Sequence, residues 1–225
     1  TKLNGTISLG VDILGTENSD DPIVGTDNAD VIYGLDGDDI IVGNGGDDKI
    51  IISNGKNGVY GDAGADHYII IDNNGLAEDN PSSQTGYFGA QLFDFSASED
   101  IIAINTSVEF KYVEEVYGNV ATDDIWSYGA TIASELPNNE NRIVFFTGED
   151  PSENSLDGFI YIHSPDDANI DGSYINLDKI TTAPSLSNFV SGNFNISTNG
   201  TNPSLSRSLS AASFPPLDTL PNAMA

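Results

Sequence analysis

Asp30, Asp39, Asp48 and Asp66 stand on a nine-residue spacing, and Asn57 fills the remaining step of the series. Carboxylates at a fixed interval bring oxygen after oxygen to one place in a repeating chain, which is the chemistry of a hard cation site. The neighbouring residues keep the same register. Counted from Gly25, position eight is Ile32, Ile41, Ile50, Val59 and Tyr68, and position four is Asn28 followed by Gly37, Gly46, Gly55 and Gly64. Residues 25–69 therefore read GTDNADVIY, GLDGDDIIV, GNGGDDKII, ISNGKNGVY and GDAGADHYI.

The elements that must position these residues follow from the period. The pattern is the G-G-x-G-x-D-x-U-x nonamer of a parallel β-roll. Each nonamer divides into a turn and a short strand whose middle residue, position eight, points inward, while positions seven and nine point outward. Two nonamers complete a coil, so alternate turns stack on one edge, about 4.8 Å apart. Glycine takes positive φ at no steric cost, which lets a turn curl its carbonyls toward one point. The position-six carboxylate aims at the same point. Two stacked turns then offer the all-oxygen shell that Ca²⁺ prefers, whereas Mg²⁺ demands a tighter octahedron. Acidic solvated linkers share this composition, but they do not hold Ile or Val in register through five repeats. No window supplies the alternating acids, central glycine and closing glutamate of an EF-hand loop.

GLDGDDIIV at 34–42 and GDAGADHYI at 61–69 closely resemble the repeats of the RTX (repeats-in-toxin) family. Downstream, LFDFSASEDIIAI at 92–104 resembles the segment after the β-roll in C-terminal domains of serralysin-type proteases, and INLDKITTAPSLSNF at 175–189 resembles the closing strand and loop of such domains. The resemblance implies an all-β chain: a parallel, Ca²⁺-binding β-roll continued by a mostly antiparallel, β-sandwich-like C-terminal part. It implies metal sites in which Asp30 faces Asp48, and Asp48 faces Asp66, on one edge. On the other edge Asp39 faces Asn57 below and Asp20 or Asp21 above. Asp27 and Asp36 at position three, Gly25, Gly34, Gly43 and Gly61 at position one, and Gly37, Gly46 and Gly64 at position four complete the expected ligand turns. Asp48 would belong to two sites, Asp30 and Asp66 to one each. Ile52 and Asn57 depart from the pattern at positions one and six, which weakens the Asp39–Asn57 site. Two well-formed sites, and two to four Ca²⁺ ions in all, are expected.

The composition agrees with a cation-driven fold. Lys and Arg number 7 against 35 acidic residues in a chain of 225, a formal charge of −28. Such a chain repels nucleic acid phosphates and anionic membranes. It also repels itself, so the repeats should stay expanded until cations bind. Extracellular calcium modules bind with Kd of about 10⁻⁴ to 10⁻³ M, and an ion at a hundred times its Kd stabilises a fold by about 2.7 kcal/mol. There is no cysteine, so calcium would do the work that disulfides do in many extracellular proteins. No apolar run is long enough to span a bilayer, and no N-terminal signal peptide is visible. The first residue is Thr1, so the chain is expected to be processed, trimmed or a fragment.

Along the chain, residues 1–24 read as an N-terminal cap, 25–72 as the roll, 73–196 as a β-rich C-terminal cap region and 197–225 as a Ser/Pro-rich tail, a possible secretion signal. Strands are predicted over 91–95, 100–104, 108–113, 142–147, 158–163 and 173–177, a short helix over 131–136, and a last strand within 184–196 that buries Phe189, Val190 and Phe194. The outward positions of the roll are unusually apolar: Val31, Tyr33, Ile51 and Ile69 on one face, Ile40, Val42 and Tyr60 on the other. Apolar patches mark contact surfaces. The C-terminal strands are expected to fold back over one face, and another copy or a further domain to cover the second.

No catalytic motif is present. The two histidines, His67 and His163, form no H-E-x-x-H zinc site, and neither a G-x-S-x-G elbow nor a Walker A loop occurs. Glu114 and Glu115 are adjacent, so on a strand they point to opposite faces. His67 reads as a surface residue. The expectation is a non-enzymatic, secreted protein, on the cell surface of a Gram-negative-type bacterium or beyond it. Calcium would fold it outside the cell into a structural role: surface layer, fibre, matrix or adhesion, through self-association or a cell-surface partner, with no nucleic acid and no transmembrane segment. The alternative is the C-terminal folding and secretion module of a larger RTX enzyme or toxin.

Overall fold

A computed structural model describes residues 10–20, 22–53, 55–71, 90–106, 108–113, 120–121, 140–150, 155–166 and 173–192. The strands are β1 (Asp12–Leu14), β2 (Ile23–Val24), β3 (Val31–Tyr33), β4 (Ile40–Val42), β5 (Lys49–Ile52), β6 (Asn57–Tyr60), β7 (His67–Ile70), β8 (Ala90–Leu92), β9 (Ile101–Asn105), β10 (Lys111–Val113), β11 (Val120–Ala121), β12 (Arg142–Asp150), β13 (Ser155–His163), β14 (Ser173–Leu177) and β15 (Phe189–Gly192). A 3-10 turn, Leu186–Asn188, precedes β15. The described residues form an all-β fold.

Successive nonamers alternate between two sheets, as a period of two strands per coil requires. One sheet runs β1-β3-β5-β7-β9-β15 and the other β10-β12-β13-β14-β8-β6-β4-β2, with β11 beside β12. Within the roll every pairing is parallel and joins equivalent repeat positions, such as Ile32 to Ile50 to Tyr68 and Ile41 to Val59. The inward residues Ile32, Ile41, Ile50, Val59 and Tyr68 are all fully buried. Each contributes on the order of 1.5–3 kcal/mol by leaving water.

The roll runs on beyond the last nonamer. β8 continues one sheet, with Leu92 opposite Val59, and β9 continues the other, with Ile102 opposite Tyr68. β13 is antiparallel to both β12 and β14, and the three join the roll through the parallel pair β14–β8. Their inward residues Ile143, Phe145, Ile160, Ile162, Ile175 and Leu177 pack into the same core as the repeats. Among the described residues, then, β10 to β14 lengthen one sheet at its edge and β15 lengthens the other. Edge addition satisfies the open row of N–H and C=O groups that a roll otherwise leaves at its end.

The two outer faces differ. Tyr33, Ile51, Ile69 and Ala103 form a second buried apolar cluster on the outside of the first sheet. On the second sheet Ile40 remains 40 % exposed, and Val42 and Tyr60 are half-buried. Phe93 stacks on Tyr60 with ring centroids 4.5 Å apart. The expected helix at 131–136 and Phe194 lie outside the described residues; Phe189 is buried and Val190 half-buried. No described helix is long and apolar enough to cross a membrane.

Candidate metal centre

The position-six residues form two ladders along the edges of the roll. On the first edge the Asp30 N–H donates to Asp48 Oδ1 at 2.8 Å, Asp48 N–H to Asp66 Oδ1 at 2.9 Å, and Asp66 N–H to Asp100 Oδ1 at 2.9 Å. On the second edge Asp20 N–H donates to Asp39 Oδ1 at 2.8 Å, and Asp39 N–H to Asn57 Oδ1 at 3.1 Å. Asp21 lies outside the described residues. Asp30, Asp39, Asp48, Asn57, Asp66 and Asp100 are all buried, so each ladder bond is charge-assisted or amide-assisted inside the fold.

Glycine serves the turns in two ways. The position-four residues Gly46 and Gly64 have φ of +105° and +149°, and a Cβ on Gly64 would collide with the Gly46 carbonyl of the turn stacked above it. The position-one glycines are needed for room rather than for φ. A Cβ on Gly43 would collide with Asp48 Oδ2, and one on Gly61 with Asp66 Oδ2; at Gly25 and Gly34 it would stand 3.0 Å from Asp30 Oδ2 and 3.2 Å from Asp39 Oδ2. Position two takes the left-handed conformation in three turns, at Leu35, Asn44 and Asp62, with φ between 64° and 74°. In the turns that carry Thr there, the Thr N–H bonds the carboxylate instead: Thr16 to Asp20 Oδ2 and Thr26 to Asp30 Oδ2, both at 2.5 Å.

The left-handed turn 43–48 gives the clearest test of fit for a cation. Asp48 Oδ2 is buried, lies over Gly43 and has no hydrogen-bond partner. A bare carboxylate oxygen out of water is costly unless a positive charge reaches it. Burial pushes the Asp48 carboxyl up to about 7, helped by the charges of Asp66 and Asp30 and opposed by the bond from the Asp30 N–H. Burial raises Asp66 in the same way, and lifts Asp100 to about 6 against the bonds from the Ser96 and Asp66 N–H groups. Among the described residues no three His, Asp or Glu side chains converge on one point. One carboxylate per turn leaves the turn carbonyls to complete a shell, which suits Ca²⁺ with its preference for many neutral and charged oxygens.

The other expected residues sort less uniformly. Asp27 and Asp36 are exposed, and Asp36 Oδ1 accepts from Ser53 Oγ at 3.1 Å. His67 is half-buried beside Lys49 in the β5–β7 pair rather than a free surface group. Burial, and secondly the Lys49 ammonium, hold its imidazole below the ordinary range.

Four carboxylates stand in the edges without having been expected there. Asp38 Oδ1 accepts from Lys56 N–H at 2.8 Å and Asp47 Oδ1 from Ala65 N–H at 3.0 Å, each one coil on. Their signal was the Asp-Asp pairs at 38–39 and 47–48. Asp94 occupies the position-one place opposite Gly61, accepting from Gly61 N–H at 3.1 Å and Asp62 N–H at 2.6 Å. Asp100 ends the first ladder. Its Oδ2 takes the Ser96 N–H at 2.7 Å, the same four-residue bond that Thr26 makes to Asp30.

Asn188 holds that last turn from the C-terminal side. Its Nδ2 donates to the Ala97 and Asp100 carbonyls at 3.0 and 2.9 Å, and its Oδ1 accepts the Ser185 N–H at 2.8 Å. Asn188→Ala should lower stability in saturating calcium by about 1–2 kcal/mol, since it strands buried polar groups. Urea unfolding measures this, and an unchanged midpoint would remove Asn188 from the account.

Residues 16–50 match the family model of the RTX calcium-binding nonapeptide repeat, in four copies. Among solved structures, the chain is similar to the solution structure of the AlgE6R3 subunit from the Azotobacter vinelandii mannuronan C5-epimerase. The two are 17% identical with a TM-score of 0.48, over 100% of this chain and 96% of that one. No curated protein matches the chain. The repeats within residues 16–50 match RTX nonapeptides, and Ca²⁺ is the ion that such repeats bind.

Proposed function

We propose that the protein is a secreted, non-enzymatic structural protein whose roll is folded by Ca²⁺ outside the cell and then self-associates. Asp39, Asp48 and Asp66, in the three left-handed turns, are the carboxylates assigned to the ions, with carbonyls of the stacked turns as the remaining ligands. Bound there, the ion supplies positive charge to buried carboxylates that otherwise repel one another. The observation that carries the calcium part is the buried, unpartnered Asp48 Oδ2 within a ladder of acidic residues.

The assembly part rests on the distribution of exposed apolar side chains. Val11 and Leu14, in and beside the end strand of the first sheet, are 46 % and 56 % exposed, and Val24 and Ile40, on the second sheet, are 48 % and 40 % exposed. Exposed apolar side chains on both sheets favour a contact between chains. Light scattering and electron microscopy before and after millimolar calcium test the role. Calcium-dependent oligomers or ordered sheets are expected. Monodisperse monomers at all calcium concentrations would overturn self-association and favour a folding module of a larger secreted protein.

A further inference from the structure

The turn 52–57 keeps the backbone of its neighbours and loses their chemistry. Gly55 has φ +120° and stacks against the Gly37 carbonyl of the turn above. Asn57 Oδ1 accepts the Asp39 N–H, the ladder bond that Asp48 makes to Asp30. The other half of the side chain reverses the polarity of the site. Asn57 Nδ2 donates to the Ser53 carbonyl at 3.0 Å and reaches the Gly55 carbonyl at 3.5 Å. Turning the amide over would set oxygen against both carbonyls and nitrogen against the Asp39 N–H, so this orientation is fixed by the network.

We infer that turn 52–57 closes without a metal ion, the Asn57 amide drawing in the carbonyls that Ca²⁺ gathers in the left-handed turns. The inference rests on reading those turns as calcium sites. An N–H₂ group is a hydrogen-bond donor with a fixed position and no net charge. It satisfies the carbonyls and leaves no buried carboxylate for an ion to neutralise.

The position-one residue supports this independently. Where the left-handed turns have glycine, this turn has Ile52, which is 1 % exposed and part of the main core. At Gly43 and Gly61 a Cβ would collide with the Oδ2 of Asp48 and Asp66. A carboxylate at position 57 in the same pose would therefore meet the Ile52 Cβ. Ile52 and Asn57 are a matched pair: the first removes the space for a ligand oxygen, and the second removes the need for an ion. The next coil places Ala90 opposite Asn57, so that edge carries no further position-six carboxylate. The roll thus contains a turn whose closure is independent of calcium, lying in sequence between two turns whose closure depends on it.

Restoring the repeat tests the inference. Calorimetric calcium titration of the full chain should count one more ion in Ile52→Gly/Asn57→Asp than in wild type, with both chains folded by circular dichroism in calcium. Equal, non-zero counts would overturn the inference while leaving the calcium sites standing. Should the double variant not fold, Asn57→Ala decides the matter. Its ion count should equal that of wild type while its melting temperature in calcium falls, and loss of an ion would show that turn 52–57 holds one. A wild type that binds no calcium would overturn the reading of the left-handed turns and this inference with it.

Discussion

Asp48→Ala should raise the calcium concentration needed for half-folding about tenfold or more, taking each 1.4 kcal/mol as a factor of ten. Asp48 is bonded on both sides within the ladder: its Oδ1 takes the Asp30 N–H and its N–H reaches Asp66 Oδ1. Removing the carboxylate strands the buried Asp30 N–H, which alone costs about 1–3 kcal/mol, and takes a ligand from the ion. Asp66→Ala should be comparable. The repeat count alone ends the ladder at Asp66, but Asp100 extends it by one turn, so Asp66 also stands between two partners. Asp30→Ala should be milder, because its outer partner is the Val11 N–H in a half-buried position that water can reach. Calcium titrations followed by circular dichroism measure all three, and an equal shift for Asp30 and Asp48 would contradict the ladder.

Without calcium, acid should fold the protein. Asp48 and Asp100 have carboxyls raised to about 7 and about 6 in the folded chain, against about 3.9 in an unfolded one. A folded state that holds its protons more tightly is favoured where those protons are bound. The stabilisation is fully present below the unfolded value and is lost as pH rises through about 6 and then about 7. In a chelator, strand content should therefore increase as pH falls through that window. In calcium the dependence weakens, because ions and protons compete for the same oxygens. A calcium-free chain that loses structure steadily on acidification would contradict the idea that buried, mutually repelling carboxylates are what hold the apo roll open.

Nearest-neighbour regularity was legible in the residues, and long-range joins were not. The inward series Ile32 to Tyr68 follows from period alone, because a strand forces alternation and the coil forces stacking. The predicted strand 173–177 coincides with β14, and 142–147 lies inside the longer β12. The pairing of β14 with β8 depends on contacts between residues about the length of a domain apart, which no local pattern encodes. Asp100 was hidden because its step from Asp66 is 34 residues instead of 18. The general role of glycine in the turns was legible, and positive φ resides at positions two and four, but only the fold shows that position one makes room for the carboxylate. Asn57 was legible as a departure from the repeat, but its two bonds to turn carbonyls are visible only once the chain is folded.

The central claim is that calcium on the turn edges folds the roll, and far-ultraviolet circular dichroism of the full chain at neutral pH, in excess EGTA and after calcium is restored, tests it most directly. The account predicts a largely unfolded spectrum in EGTA that converts cooperatively and reversibly to a β spectrum with added calcium, and not with equal magnesium. A β spectrum that is the same in EGTA and in calcium would contradict it.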